Sequence, residues 1–306
     1  MTTPAATRVA QPVARRGGVK GFLRLVMIEH SVFALPFAYI AALTAMHSLG
    51  DRGVRWLDLL WITVAMVGAR TFAMAANRVI DRELDARNPR TAQRELVTGA
   101  LPVRTAYAGM AVALVVFLGA AAALGRLPLL LAPLAVVPLV VYPYGKRFTW
   151  GCHFILRFAQ MIAPIGAWIG VTGEWSWDAV LLGAAMGLWI AGFDIIYACQ
   201  DYEHDRAEGV HSLPARFGIR AALHVSTAVH LVALGFFVWF GVAAGFGPWW
   251  WAGVALTAAA LGYEHAIVRP HDLSRVNRAF FTVNGFIGIG LFVLALIDLV
   301  DRGLRP

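Results

Sequence analysis

The sequence has little charge and almost no cysteine. Only 14% of its 306 residues are charged, whereas 59% are hydrophobic. No soluble packing arrangement could cover that much apolar surface, so the composition excludes an ordinary soluble domain and indicates a lipid bilayer as the solvent. The two cysteines, Cys152 and Cys199, lie in or beside apolar stretches, which argues against a disulfide framework and against a cysteine-based metal site.

The first 24 residues lack the short apolar core and the small-residue cleavage site of a removable signal peptide. We therefore expect 1–24 to form a basic cytoplasmic segment. The apolar stretches that follow predict a single transmembrane domain over 25–301, with 302–306 as a short tail.

Apolar stretches long enough to cross a membrane recur nine times along the chain. A spanning helix needs about 20 mostly apolar residues. The stretches lie near 25–48, 57–77, 104–124, 128–145, 153–172, 178–200, 222–245, 248–268 and 278–300. The stretch 128–145 contains four prolines, which predicts a kinked helix there. The predicted fold class is all-α, a polytopic membrane bundle of nine transmembrane helices.

Basic residues cluster on alternate connections between these stretches. With the N-terminus inside, 19 of the 26 Lys and Arg residues lie on cytoplasmic segments: Arg8, Arg15, Arg16, Lys20, Arg24, Arg78, Arg82, Arg87, Arg90, Arg94, Arg104, Lys146, Arg147, Arg206, Arg216, Arg220, Arg269, Arg275 and Arg278. This bias predicts a multi-pass protein of the cell inner (plasma) membrane, with its N-terminus and acidic loops in the cytoplasm and its C-terminus outside. Topology, together with binding of anionic groups, thus accounts for the net charge of +8, and no nucleic-acid partner is expected.

Oxygen-bearing side chains concentrate at two corresponding places, after the second and the sixth stretch. In each place their spacing puts them on one helical face. They are Asn77, Asp81 and Asp85 in the first set, and Asp194, Asp201 and Asp205 in the second. Because the two sets stand four stretches apart, we expect two four-helix halves plus one helix around a central cavity.

Carboxylates stacked on one face repel each other, so they gain stability only when a cation lies between them. Mg²⁺ is the expected ion, because it takes oxygen ligands from few carboxylates and completes its octahedron with substrate phosphates. Two Mg²⁺ ions between the two sets could bridge one diphosphate. The alternative interpretation is that both sets are solvated helix ends beyond the membrane.

Four basic residues are candidates for binding the anion. Arg70 and Arg157 fall within predicted spans, where a charged side chain is costly and usually faces the bundle interior, so each could bind a phosphate or a substrate carboxylate. Lys146 and Arg147 follow the fourth stretch on the cytoplasmic side. Snorkelling to the interface is the alternative for Arg157, and ordinary positive-inside anchoring is the alternative for Lys146 and Arg147.

These patterns resemble those of the UbiA superfamily of intramembrane prenyltransferases over nearly the whole chain. That family pairs an Asn/Asp-Asp-x-x-Asp-x-x-x-Asp motif after its second helix with an Asp-x-x-x-Asp motif after its sixth, and NPRTAQRELVTG and YPYGKRFT resemble two further segments of it. Arg78 departs from the pattern, because many members have Asp there, and Val97 stands where Pro is common. IEHSVFALPFA and DYEHDRAEGVHSLPARFG look most similar to the branch of 4-hydroxybenzoate polyprenyltransferases and futalosine-route menaquinone enzymes.

The resemblance implies Mg²⁺-dependent transfer of a polyprenyl group from its diphosphate to an aromatic acid, 4-hydroxybenzoate or 1,4-dihydroxy-6-naphthoate, within the bilayer. The implied metal ligands are Asn77, Asp81, Asp85, Asp201 and Asp205. The implied diphosphate ligands are Lys146, Arg147, Arg70 and Arg94. The candidates for binding the acceptor's carboxylate are Arg157 and His30. The residues expected to take part in catalysis are Asp194, Asp201, Lys146 and Arg70.

Other activities share parts of this pattern. A haem- or chlorophyll-type prenyltransferase would have the same fold with another acceptor, and a terpene cyclase of this fold would need no aromatic acceptor. A secondary transporter also carries intramembrane charges and repeated halves, but its carboxylates should lie near the bilayer midplane. The acidic residues of this chain are predicted at the cytoplasmic ends of helices instead.

Overall fold

The computed structural model describes residues 21–22, 25, 34–50, 53–145 and 147–305. The side chains at 152 and 153 are excepted, and His30 and Lys146 lie outside the described residues. The regular secondary structure of the described residues is helical. The helices are α1 (Leu35–Ser48), α2 (Trp56–Ile80), α3 (Arg82–Arg87), α4 (Val103–Leu124), α5 (Arg126–Gly145), α6 (Cys152–Thr172), α7 (Trp177–Ala198), α8 (Tyr202–Ala207), α9 (Leu213–Phe217), α10 (Ile219–Ala243), α11 (Pro248–Ile267) and α12 (Asn284–Asp301).

Seven of the described helices are long and apolar enough to cross a membrane. This confirms an all-helical membrane fold, whereas the predicted count of nine spans is not confirmed. The first predicted span, 25–48, is described only at residue 25 and from residue 34 onward. The eighth corresponds to α11, whose three tryptophans, Glu264 and His265 make it less apolar than the seven.

Helix α7 lies at the centre of the bundle. Within its apolar segment 83% of the residues are buried, compared with 11% in α5. A helix that is apolar all round is expected to be buried in this way. It packs against α6 and α10, while α5 exposes Leu130 and Val137 at the periphery, where lipid would surround them.

Helix α5 shows how far proline is tolerated in this fold. It runs without interruption from Arg126 to Gly145 with Pro133, Pro138 and Pro143 inside it. Each proline removes one backbone donor. A helix over 128–145 is therefore confirmed, whereas its kink stays a prediction.

Local breaks in α2 and α7 place the two acidic sets. Helix α2 ends at Ile80, and Asp81 has φ −87° and ψ 4° before α3 begins. The Asp81 N–H still donates to Asn77 O (2.9 Å), and the Asp85 N–H donates to Asp81 O (2.8 Å), so the first set keeps nearly helical spacing. After α7, a 3₁₀ turn over Cys199–Asp201 leads into α8. The segments between the apolar stretches thus contain short helices that the sequence pattern did not predict.

Candidate active site

The two acidic sets meet at one cavity of about 310 Å³, formed where α2 and α7 end. Eight of the predicted site residues line it: Arg70, Asn77, Asp81, Asp85, Arg94, Asp194, Asp201 and Asp205. The prediction that both sets share a cavity is therefore confirmed in geometry. Arg147 and Arg157 are not among its lining residues.

The first acidic set is organised by a short loop after α3. Asn77 Nδ2 donates to Asp81 Oδ2 at 3.0 Å, and both side chains lie on the cavity. Asp85 is buried and forms an ion pair with Arg94 at 2.5 Å between Oδ1 and Nη1. The Thr91 hydroxyl donates to the main-chain oxygen of Asp85 at 2.9 Å, which holds this loop against α3.

Arg90 joins the second acidic set to the loop that follows α3. Its Nε and Nη2 donate to Asp201 Oδ1 and Oδ2 at 2.9 and 2.7 Å, the two-pronged geometry that guanidinium and carboxylate groups favour. Asn88 also donates to Asp201 Oδ1, at 3.3 Å. Burial lowers the pKa of Arg90, but the hydrogen bond and the charge of Asp201 outweigh that effect and raise it. The guanidinium therefore stays charged and ties Asp201 to the loop that follows the first acidic set.

A buried cluster of charge lies deeper, between α2, α6 and α7. Arg157 is buried and pairs with Asp194 at 3.0 Å, and its Nη1 donates to Gln160 Oε1 at 2.6 Å. Arg70 lines the cavity, and its Nε is buried without a hydrogen-bond partner among the described residues. Both predicted intramembrane arginines thus face the bundle interior rather than the lipid.

Arg147 lies beside the cavity rather than in it. Its Nη2 donates to the carbonyl of Ile80 at 2.8 Å, and its guanidinium lies over the Tyr144 ring at 5.4 Å. Since Ile80 ends α2 directly before Asp81, Arg147 fixes the backbone next to the first acidic set. Direct binding of a diphosphate by Arg147 stays a prediction.

Several lining residues were not predicted from the sequence. Arg90 and Asn88 are among them, together with His204 and Ser212. Arg90 belongs to the segment NPRTAQRELVTG, so the motif resemblance was the one signal that pointed to it. Its partner Asp201 is 111 residues away in the sequence, which no local pattern could indicate.

The oxygen atoms around the cavity suit Mg²⁺ in type. In the described part of the chain, however, no three His, Cys, Asp or Glu side chains are grouped so that they could hold a metal ion. Two of the carboxylates instead face arginines, Asp85 with Arg94 and Asp201 with Arg90. Because Mg²⁺ uses few carboxylates and takes waters and substrate phosphates in its other positions, the donor set fits an ion held jointly with a phosphate-bearing substrate.

Comparisons with known proteins agree with this arrangement. The model of the UbiA prenyltransferase family matches residues 34–287. A 4-hydroxybenzoate octaprenyltransferase of Aromatoleum aromaticum is 32% identical over 283 residues, covering 91% of this chain and 94% of that protein.

Solved structures with the same fold also exist. The apo structure of a UbiA homologue from Aeropyrum pernix K1 is 34% identical, with a TM-score of 0.79 over 89% of this chain and 98% of that one. A UbiA homologue from Archaeoglobus fulgidus bound to DMAPP and Mg²⁺ shares the fold at 18% identity, with a TM-score of 0.67 over 92% of this chain and 99% of that one. The chain therefore belongs to the UbiA prenyltransferase family, and it is a membrane enzyme that transfers prenyl groups.

Proposed function

We propose that this enzyme transfers a polyprenyl group from a polyprenyl diphosphate to a ring carbon of an aromatic acid in quinone biosynthesis. The acceptor would be 4-hydroxybenzoate, for a ubiquinone route, or 1,4-dihydroxy-6-naphthoate, for a menaquinone route. The observation that carries the proposal is the single cavity in which both acidic sets meet buried and half-buried arginines. The relatives named 4-hydroxybenzoate octaprenyltransferase, which the chain matches along most of its length, support the choice of acceptor class.

Mg²⁺ is the proposed cofactor, as in the A. fulgidus homologue bound to DMAPP and Mg²⁺. The residues that would hold it are Asn77, Asp81, Asp85, Asp201 and Asp205. When bound, Mg²⁺ supplies positive charge that makes the diphosphate a better leaving group.

Arginines of the chain would stabilise the departing diphosphate. As the bond between the allylic carbon and the diphosphate oxygen breaks, its electron pair goes to the diphosphate, whose negative charge rises. Arg70, Arg90 and Arg94 line the cavity and are placed to bind that charge. Lys146 and Arg147 are proposed to add to it from the end of α5.

The apolar part of the cavity would protect the allylic cation from water. Met74, Tyr197 and Phe280 contribute apolar surface to the same cavity as the acidic residues. Exclusion of water prevents capture of the cation before the aromatic ring attacks. The long isoprenoid tail is proposed to leave the cavity toward the lipid, which would make the bilayer part of the binding site.

The acceptor is proposed to bind at the inner end of the cavity. Arg157 is the candidate for its carboxylate, and His30 is a second candidate that lies outside the described residues. Arg157 already pairs with Asp194, which lines the cavity, so an acceptor carboxylate at Arg157 would share that guanidinium with Asp194. Asp194 or Asp201 would then orient the hydroxyl or accept the proton that the ring carbon loses when aromaticity is restored.

The test is product analysis with purified enzyme in lipid nanodiscs. The enzyme is incubated with Mg²⁺, a polyprenyl diphosphate and either 4-hydroxybenzoate or 1,4-dihydroxy-6-naphthoate, and the products are identified by mass. We expect one acceptor to gain the mass of the prenyl group at a ring carbon. Consumption of the diphosphate without prenylation of either acid would refute the proposed acceptor class.

A further inference from the structure

A buried hydrogen-bonded cluster lies behind the cavity wall, apart from the acidic sets. Its members are Trp189 of α7, Glu264 of α11 and Asn284 at the start of α12, and each is completely buried. Trp189 Nε1 donates to Asn284 Oδ1 at 2.9 Å, and Asn284 Nδ2 donates to Glu264 Oε1 at 3.1 Å. An indole N–H can only donate, so the orientation of the Asn284 amide is fixed by its partners.

The cluster has a cost that an apolar contact would avoid. Glu264 Oε2 is buried and has no hydrogen-bond partner among the residues that the structure describes. A buried polar atom of this kind lowers the stability of the folded protein. Such exceptions in a folded protein point to a role other than stability.

Asn284 also holds an irregular turn that precedes α12. Residues Arg278–Val283 form a π-helix, a wider turn that is rare and frequently found at functional sites. The second hydrogen bond of Asn284 Nδ2 goes to the carbonyl of Ala279 inside this turn, at 2.9 Å. The side chain therefore ties the wide turn to Trp189 on α7 and to Glu264 on α11.

The π-helical turn carries Phe280, which lines the cavity beside Asp194 and Tyr197. The Phe280 ring lies 4.3 Å from the Tyr197 ring and 5.1 Å from the Phe193 ring, between centroids. Trp189 packs edge-on against Phe193 at 5.2 Å. The position of this aromatic wall thus depends on the same Trp189 indole that Asn284 binds.

We propose that Asn284, held by Trp189 and Glu264, is a positioning residue that fixes the π-helical turn so that Phe280 keeps water from the allylic carbon. The inference rests on the proposed prenyl transfer. When the wall is displaced, a water oxygen bonds to the allylic carbon, the diphosphate leaves with the electron pair of the broken bond, and the proton of water goes to solvent. The product is then a prenyl alcohol instead of a prenylated acceptor.

The experiment measures the ratio of prenyl alcohol to prenylated acid in nanodiscs at saturating substrate. Asn284→Leu keeps the number and branching of the side-chain heavy atoms but removes three hydrogen bonds, and Phe280→Ala removes the wall itself. We expect both variants to raise the ratio by about three- to tenfold, because each displaces the wall by a barrier change of the size of one net hydrogen bond. Glu264→Gln keeps the acceptor for Asn284 and should match the wild type, whereas Glu264→Leu should behave like Asn284→Leu.

Thr257→Val is the matched control, because Thr257 is a buried polar residue of α11 whose hydroxyl donates to the carbonyl of Gly253 in its own helix, and it does not line the cavity. It should keep the wild-type ratio. Wild-type ratios in folded Asn284→Leu and Phe280→Ala, or identical ratios in Glu264→Gln and Glu264→Leu, would overturn the positioning role. If Asn284→Leu does not fold, the two Glu264 variants decide. Absence of any prenylated acid with the wild type would instead refute the proposed function.

Discussion

Carboxylates in the two acidic sets differ from their near neighbours in where they point. Asp81 and Asp201 line the cavity, whereas Glu83 and Glu203, two residues further along the chain, are exposed. We expect Asp81→Ala and Asp201→Ala each to abolish prenyl transfer, a loss in kcat of at least about 10²-fold, because each removes charge from the reacting end of the cavity. Thermal unfolding should show that both variants stay folded.

The matched controls for these variants are Glu83→Ala and Glu203→Ala. Each removes one carboxylate from the same segment without touching the cavity, so both should retain wild-type kcat. Full activity in Asp81→Ala or Asp201→Ala would contradict the role assigned to that residue.

Arg90 and Arg87 both pair with acidic residues of the second set's segment, but they do so differently. Arg90 forms two short hydrogen bonds to Asp201. The Arg87 side chain is 63% exposed, and its contact with Glu208 is longer, at 3.5 Å. We expect Arg90→Ala to raise KM for the polyprenyl diphosphate by about tenfold, because it removes a cation that binds the diphosphate in both ground state and transition state.

Arg87→Ala should change KM by less than about twofold, since an exposed ion pair contributes little. Steady-state kinetics with varied polyprenyl diphosphate distinguish the two arginines. An unchanged KM for Arg90→Ala would contradict binding of the diphosphate by Arg90.

Among single residues, the sequence predicts those site members that local spacing brings together. Asp81, Asp85, Asp201 and Asp205 were found because residues three to four apart share a helical face. The Arg157–Asp194 ion pair was not found, although both residues were named, because it joins α6 to α7 and depends on how those helices pack. Pairings of this kind require the tertiary structure.

Close helix packing depends on glycine at one contact of α7. A Cβ added at Gly183 would lie 2.6 Å from the main-chain oxygen of Met161 on α6, and backbone cannot move aside as a flexible side chain can. We expect Gly183→Ala to lower the free energy of unfolding by about 1–3 kcal/mol, as overpacking does in well-packed cores. The loss is measured as a lower thermal unfolding midpoint for Gly183→Ala than for the wild type in the same detergent.

Gly119→Ala on α4 is the matched control for Gly183→Ala. A Cβ at Gly119 would meet nothing within 4 Å. Because alanine favours the helix by up to about 1 kcal/mol over glycine, this variant should unfold at the same or a higher temperature. A loss of stability equal to that of Gly183→Ala would mean that the α6–α7 contact is not the cause.

Long helices were predictable from the sequence, but their interruptions were not. The stretch 57–77 corresponds to α2 (Trp56–Ile80), because an apolar run in a bilayer has to satisfy its backbone within a helix. The sequence predicts an ordinary transmembrane helix over 278–300, whereas Arg278–Val283 form a π-helix. The sequence does not indicate this wide turn, because the turn is held by the Asn284 side chain and by contacts to other helices. Short breaks of this kind leave no periodic signal.

The cavity lies at one end of the helix bundle. Helix α2 reaches the cavity at Ile80 and begins at Trp56, while α12 begins behind Phe280 of the cavity wall and ends at Asp301. The backbone bridge between Gly53 and Arg305 joins the segment before α2 to the segment after α12. Both segments lie at the helix ends away from the cavity. The cavity and the Gly53–Arg305 bridge therefore mark opposite ends of the bundle.

We expect the cavity end to face the cytoplasm, because most of the arginines cluster there and positive residues are retained inside. Glu203→Cys places a thiol at the cavity end and Asp301→Cys places one at the opposite end, both at exposed positions. A membrane-impermeant maleimide should label Asp301→Cys in intact spheroplasts and Glu203→Cys only after lysis. The unsubstituted chain, with Cys152 and Cys199, gives the background labelling. The reverse pattern would place the cavity outside, where neither a cytoplasmic aromatic acid nor a cytoplasmic prenyl diphosphate could reach Arg70 and Asp201.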